Sequence, residues 1–322
     1  MKVSLLIPVY GVEDYIERCV RSLFGQTYRD IEYVFVDDAS PDGSIGVMQR
    51  VLEEYPERRE QVKVITNPQN LGLAGARNVA FDHSTGDYVL CMDSDDYLET
   101  DAVELLVHKA QAESADMVVF DWWVVGRGRP RRGESVMPTG GGEEYVKALL
   151  LRRSGVSVVM KMVRRSVMAD NAIRWIAGLN YGEDYYVSPL LAYHSRKTVR
   201  LDRPLYWYVH RGTSISANIS PAKAGDIVRA TDELTRFFSS VPEAAEYRSA
   251  LVMMKAVNKV LLLQEGDRET VKYAAGLYGD VDFRRMALSL REKTLLRLAD
   301  RRCFAGVRLV RRMAATLKRM KG

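Results

Sequence analysis

The chain has 322 residues, 47% of them hydrophobic and 28% charged, which excludes a disordered or fibrous polymer and suits one large domain or a domain with an appendage. Cys19, Cys91 and Cys303 are odd in number, far apart and in no CxxC pair, so the sequence argues against a disulfide framework or a zinc site and for a reducing cytoplasm. The net charge of +5 is unevenly placed: from Arg291 onward eleven Lys or Arg stand against two acids, which leaves about −4 on the first 290 residues.

Val3–Val9 predicts a buried strand, and 12–26 an amphipathic helix with Ile16, Val20, Leu23 and Phe24 on one face. That first apolar run, broken by Pro8, is too short for a signal peptide. No stretch approaches the roughly 20 apolar residues of a membrane span, so a soluble or peripheral protein is expected. Residues 32–36 predict a second strand ending at Asp37-Asp38, 43–55 a helix, Val62–Thr66 a third strand and 73–84 another helix. Strand 88–92 ends at Asp93, Thr100 is placed to cap a helix through 112, and 117–120 is a further strand. Strands alternating with helices imply a mostly parallel sheet covered on both faces, with ligands beyond the carboxyl ends of its strands. The polar clusters all lie there. Residues 127–142 read as a surface loop or hairpin, 156–163 as a strand, 183–193 as a helix, 198–201 and 205–209 as strands, and everything from about Pro221 as helical.

Asp93-Ser94-Asp95-Asp96 puts three acids in four residues. Carboxylates at i and i+2 of an extended chain point to one side, so Asp93 and Asp95 can share a ligand. Such a group repels itself unless a cation sits among it, and hard oxygen donors suit Mg²⁺ or Mn²⁺ together with phosphate oxygens. A solvated acidic turn is the plainer alternative. Asp37-Asp38-Ala39-Ser40 closes the second strand similarly and offers acceptors for a ribose or a base edge, or a turn with Ser40, Asp42 and Ser44 as helix cappers.

Taken together, Ile7-Pro8-Val9-Tyr10, Val36-Asp37-Asp38-Ala39-Ser40-Pro41-Asp42-Gly43-Ser44, Asn70-Leu71-Gly72, Ala76-Arg77-Asn78, Met92 to Asp96, Gly182-Glu183-Asp184, and Tyr206-Trp207-Tyr208 with Ser214-Ile215-Ser216 resemble the family 2 glycosyltransferases of GT-A fold, bacterial surface-polysaccharide members above all. The match runs over roughly residues 1–216, in order. The resemblance implies a Rossmann-like mixed, mostly parallel α/β sheet flanked by helices. It implies an inverting transferase that moves a sugar from a nucleoside diphosphate donor, UDP-sugar above others, to a hydroxyl of a saccharide or lipid-linked saccharide. Pro8, Val9, Tyr10 and Asp38 would line the nucleotide pocket, with Arg77, Asp93 and Ser94 close to the nucleotide. Asp95 would hold the Mn²⁺ or Mg²⁺, with Asp93 and His210 as further metal contacts. Asp184 would be the catalytic base with Glu183 beside it, although acids in a helix's first turn also suit its dipole. Lys161 and Arg211 are carried as phosphate or acceptor contacts. The sequence departs from the family at Gly11, where many relatives carry Asn, at Val209, where many carry Arg, and at Val159-Met160, in place of Trp-Gly.

The expected organisation is a catalytic domain over 1–220 and a helical region over 221–322. Residues 295–320 predict a basic amphipathic helix, with Leu295, Leu298, Phe304, Val307, Leu309, Val310, Met313 and Leu317 among arginines, able to lie on the anionic inner face of the cell membrane or to pack on the protein. No nucleic-acid motif accompanies the charge. Tyr10-Gly11-Val12-Glu13-Asp14 is acidic with one glycine, unlike the Gly-rich basic loop of a nucleotidyltransferase or the GxGxxG of a dehydrogenase. A DxDx phosphatase usually places its cluster after strand one. A non-catalytic nucleotide-sugar or carbohydrate binding protein derived from a transferase remains the alternative from another class.

Overall fold

The computed structural model describes residues 1–126, 128–210, 219–279, 281–283 and 286–321, with side chains as far as 314. The chain forms two compact units, Met1–Gly212 and Thr213–Gly322.

The first unit begins β1 (Val3–Val9), α1 (Glu13–Phe24), β2 (Ile31–Asp37), α2 (Ser44–Glu53), β3 (Val62–Thr66), α3 (Gly72–Asp82) and β4 (Tyr88–Cys91). It continues through β5 (Tyr97–Leu98), α4 (Ala102–Glu113), β6 (Met117–Val125), β7 (Arg131–Gly133) and α5 (Gly142–Leu150). Then follow β8 (Lys161–Arg164), α6 (Arg165–Asp170), α7 (Glu183–His194) and β9 (Thr198–Val209). The nine strands make one sheet in the order β3-β2-β1-β4-β8-β6-β9-β5, with β7 on the side of β6. Its first four strands are parallel, β6 also runs parallel to β9, and β8, β5 and β7 pair antiparallel. This is the mixed α/β architecture expected of a GT-A fold.

The physical reason lies in residue type. β1 and β4 are buried along their whole length, as strands covered on both faces must be. Helix α1 turns Ile16, Cys19, Val20, Leu23 and Phe24 inward, the stripe that its periodicity predicts. Because β2, β1 and β4 are neighbours in register, the chain leaves all three at one edge of the sheet, so Tyr10, Asp38 and Met92 to Asp96 share a rim.

Several elements differ from the sequence reading. Asp101, not Thr100, occupies the position before α4, and it makes no side-chain capping bond. The stretch 156–163 is a strand only from Lys161, preceded by a 3₁₀ turn at Val158–Met160. Residues 198–201 and 205–209 are one strand, its register against β6 shifted at Phe120 to Trp122. The 127–142 stretch contains the β6–β7 hairpin, and α5 after it was not anticipated.

The second unit is helical: α8 (Pro221–Ser240), α9 (Ala244–Glu265), α10 (Arg268–Ala275), α11 (Leu290–Asp300) and α12 (Phe304–Lys321). Ser220 caps α8 ahead of Pro221, Asp267 caps α10, and Ser289 with Glu292 forms a reciprocal capping box on α11. The single basic helix expected over 295–320 is therefore two helices, broken at Arg302, whose φ of 51° lies in the left-handed region. Leu295 and Val307 are buried, whereas Leu309 and Met313 are each 59% exposed; the side chain of Leu317 lies outside the described residues. Among the described residues no helix is long and apolar enough to cross a membrane.

Candidate active site

The rim of the sheet is organised by two polar assemblies. At the end of β2, Asp38 is 2% exposed, and its Oδ1 accepts from Asn67 Nδ2 and from Leu71 N, both at 2.8 Å. Ala39 follows in the left-handed region (φ 55°), a conformation that costs a non-glycine residue energy and persists at sites where the surroundings over-determine it. Pro8 and Val9 are buried at the end of β1, and Tyr10 emerges 51% exposed. Gly11 has φ 66°, the region most readily taken by Gly and next by Asn, which accounts for the departure from the family's Asn at this position.

The second assembly centres on Arg77 of α3, which is 1% exposed. Its Nη2 donates to Asp93 Oδ1 at 2.8 Å, and its Nη1 donates to Asp184 Oδ1 at 2.7 Å and Glu183 Oε1 at 3.2 Å. The guanidinium also stands 5.9 Å from the Trp175 ring. One cation thus joins the turn after β4 to the first turn of α7. Gly182 enters α7 with φ 85°, so the tight entry depends on a residue without Cβ. Burial opposes the charge on Arg77, yet the carboxylates of Asp184 and Asp93 hold its pKa well above the ordinary value. Burial and then the Asp184 charge push Glu183 up to about 7, against the pull of Arg77. Asp184 Oδ2 accepts from Val158 N at 3.1 Å and Ser157 Oγ at 3.3 Å, so both its oxygens are oriented.

The three acids after β4 have three different fates. Asp93 pairs with Arg77. Asp96 turns inward, 1% exposed, accepting from Tyr206 Oη and Val209 N, each at 2.7 Å. Burial and the Asp93 charge push Asp96 up to about 7 despite those bonds. Asp96 is therefore a strut between the turn and β9, which corrects the expectation that all three acids surround one cation. Asp95 stays half-buried in the turn, and Ser94 is buried.

Other expected site residues are not gathered here. Lys161 is buried, and its Nζ donates to the carbonyls of Gly155 at 2.8 Å and Ser157 at 2.6 Å rather than standing free for a phosphate. Burial pushes its pKa down to about 7, with Asp184 opposing. His210 is exposed and its N–H donates to Val125 O at 2.7 Å, and the described residues hold no group of three or more His, Cys, Asp or Glu able to enclose a metal. It is not gathered with Asp93 and Asp95. Arg211 and Ser214-Ile215-Ser216 lie outside the described residues. Sequence reasoning missed Asn67, Ser157, Val158 and the use of Tyr206 as a partner of Asp96. Of these only Tyr206, in its aromatic triplet, carried a signal.

Comparison with known proteins identifies the family and the fold. The model of "Glycosyl transferase family 2" matches residues 4–171. The chain is 29% identical over 230 residues to glycosyltransferase GlyA of Streptococcus pneumoniae, covering 67% of this chain and 31% of that protein. It is 31% identical over 217 residues to poly(ribitol-phosphate) beta-glucosyltransferase of Bacillus spizizenii, covering 66% of this chain and 33% of that protein. It thus spans about a third of the length of either relative. Among solved structures it is similar to S. aureus TarS 1-349 in complex with UDP-GlcNAc (TM-score 0.73, 22% identity, 98% of this chain and 92% of that one). A mannosyltransferase from Pyrobaculum calidifontis in complex with GDP-Man and Mn²⁺ also shares the fold (TM-score 0.53, 18% identity, 99% and 87% covered). On a family match that takes in more than half of its residues, the chain belongs to glycosyl transferase family 2.

Proposed function

We propose that the chain is an inverting glycosyltransferase of surface polysaccharide synthesis that moves a sugar from a UDP-sugar to a hydroxyl of a saccharide or lipid-linked saccharide. The observation that carries this reading is the Arg77 fork, which brings the donor-side turn at Asp93 and the acids opening α7 within the reach of one guanidinium, at the carboxyl ends of parallel strands. Inversion by single displacement needs a proton acceptor on the face opposite the leaving diphosphate, so two acidic segments with separate duties suit it. Asp38, with Pro8, Val9 and Tyr10, would receive the nucleoside, and Arg77, Asp93 and Ser94 would lie along the donor. A UDP donor is supported by the TarS complexes, which contain UDP-GlcNAc or UDP.

The donor set also fits a divalent metal. Asp95 and the part-exposed Asp93 are hard oxygen donors, and Mg²⁺ or Mn²⁺ is commonly held by one or two carboxylates plus substrate phosphates. When bound, the ion supplies charge neutralisation to the departing diphosphate. Asp184 would accept the hydroxyl proton: its two oxygens are fixed in place, and Oδ1, which accepts one bond from Arg77 Nη1, retains a lone pair beyond it. A second reading gives that duty to Glu183, whose pKa near 7 suits a base working at neutral pH. The pH dependence of turnover in Asp184→Asn and Glu183→Gln separates them, because only loss of the true base abolishes transfer at every pH.

We read 1–220 as the catalytic domain and 221–322 as a helical region whose basic helices hold the enzyme at the inner face of the cell membrane. A thermal-shift screen of UDP, GDP, CDP and dTDP, each with Mn²⁺ or EDTA, tests the donor site on wild type and Asp95→Ala. A ligand at a hundredfold excess over its Kd stabilises the folded state by about 2.7 kcal/mol. The expected result is a UDP shift that needs Mn²⁺ and vanishes in Asp95→Ala. Absence of any nucleotide shift, or binding without UDP-sugar turnover, defeats the reading and leaves a binding protein at most.

A further inference from the structure

The second unit contains a cavity of about 570 Å³ between the start of α10, the turn at Arg302 and the first half of α12. Its wall carries five cationic side chains against one acid, Asp267. That acid is already engaged, capping α10 through Thr270 N at 2.7 Å. Two of the cations are engaged as well: Arg311 Nη1 donates to Gly266 O at 2.8 Å, and Lys272 pairs with Glu269 at 2.9 Å. Arg268, Arg302 and Arg308 have no ion-pair partner among the described residues. All three are exposed along the same wall, and an anion with several acceptor oxygens seated there offers them a shared counter-charge. Arginine's fork matches a phosphate in particular.

The rest of the wall is apolar, with Val271 and Phe304 on it. Ala305 also lines it, and at four-residue spacing along α12 come Leu309 and Met313, both 59% exposed. A cationic pocket that opens onto a stripe of exposed apolar side chains matches a molecule with a phosphate head and a hydrocarbon body. We propose that this cavity binds the phosphate of an anionic phospholipid headgroup, with Leu309 and Met313 entering the acyl region beside it. This deepens the membrane placement proposed above by giving it a defined site, and it does not depend on the donor chemistry.

The test is sedimentation of the full chain with vesicles of phosphatidylcholine alone or with phosphatidylglycerol at about a third of the lipid, at about 0.15 M salt, where diffuse surface attraction is screened beyond ~8 Å. Arg302→Gln/Arg308→Gln removes two cavity cations; Arg297→Gln/Arg301→Gln removes two exposed cations of the same region that do not line it. Diffuse attraction to a surface is worth about 1 kcal/mol per cation, so it predicts equal loss in both variants. The site predicts that binding to the anionic vesicles falls about tenfold further in the cavity variant, a difference of about 1.4 kcal/mol. Leu309→Ser/Met313→Ser should weaken vesicle binding while leaving calorimetric binding of glycerol phosphate intact. Equal loss in the two arginine variants, or no binding of wild type to anionic vesicles, overturns the proposal. So does calorimetric binding of inorganic phosphate as tight as that of the vesicles, which would mark a soluble-phosphate site. The UDP-dependent thermal shift, measured alongside, should persist in all three variants, which separates failure here from failure of the transferase reading.

Discussion

Glu183→Gln should make the protein more stable at alkaline pH, and the size of the gain follows from the site. The carboxyl is 13% exposed, shares Arg77 with two other acids and is pushed from an ordinary 4.5 up to about 7. A group whose pKa is raised on folding contributes stability that is complete below its unfolded pKa. That contribution is lost as the pH rises to and through the folded value, because the native state must then carry a charge it disfavours. At about 1.36 kcal/mol per pKa unit the loss is of order 3 kcal/mol, and residual exposure reduces it to about 2 kcal/mol. Gln keeps the shape and an oxygen for Arg77 Nη1 but never ionises, and Arg77 retains Asp93 and Asp184 as counter-charges. The stability gap between variant and wild type should be small at pH 5 and open to about 2 kcal/mol by pH 8.5. For a unit of this size that is a Tm gap of roughly 4–8 °C. Denaturant titrations and thermal melts of both proteins at pH 5, 6, 7 and 8.5 measure it. A gap that is flat with pH, or a variant less stable at pH 8.5, would refute the argument that an acid in this cluster is held near neutrality by burial and like charge.

Three further outcomes follow from the same geometry. Arg77→Met strips the counter-charge from three acids and should cost about 3–5 kcal/mol at pH 8, with the deficit shrinking toward pH 5 as Glu183 takes a proton; urea unfolding at both pH values checks it. Asp38→Ala leaves Asn67 Nδ2 and Leu71 N without their acceptor, so it should destabilise by about 2–4 kcal/mol and abolish the UDP thermal shift together; nucleotide binding at wild-type strength would exclude Asp38 from the pocket. Lys161→Met frees the carbonyls of Gly155 and Ser157, loosening the loop that presents Ser157 Oγ and Val158 N to Asp184. The expected signature is a kcat about tenfold lower with donor affinity unchanged, and a change in donor KM alone would argue against that coupling.

Much of this protein could be read locally. β1 and β4 are runs of apolar residues ending in polar clusters, and α1 shows its buried stripe at helical spacing, so the parallel half of the sheet and the rim beyond it were legible from periodicity alone. Position at strand ends also singled out Asp38 and Asp93, whereas Arg77 and the pair Glu183-Asp184 stood out only through the resemblance to family 2 glycosyltransferases. The break at Arg302 was not legible: the stretch is basic and helix-forming on both sides, and the turn depends on one residue adopting a left-handed conformation. What sequence cannot supply is distance across the chain. Asp93, Asp95 and Asp96 are chemically alike and nearly adjacent, and local spacing assigns them only to sides of a strand. Tertiary structure distinguishes them, by bringing Arg77 from 16 residues away to Asp93 and Tyr206 from 110 residues away to Asp96. Alike as sequence, the three acids became a bridge, a strut and a candidate ligand because charge and hydrogen bonding act through space, over a few ångströms, without regard to order along the chain.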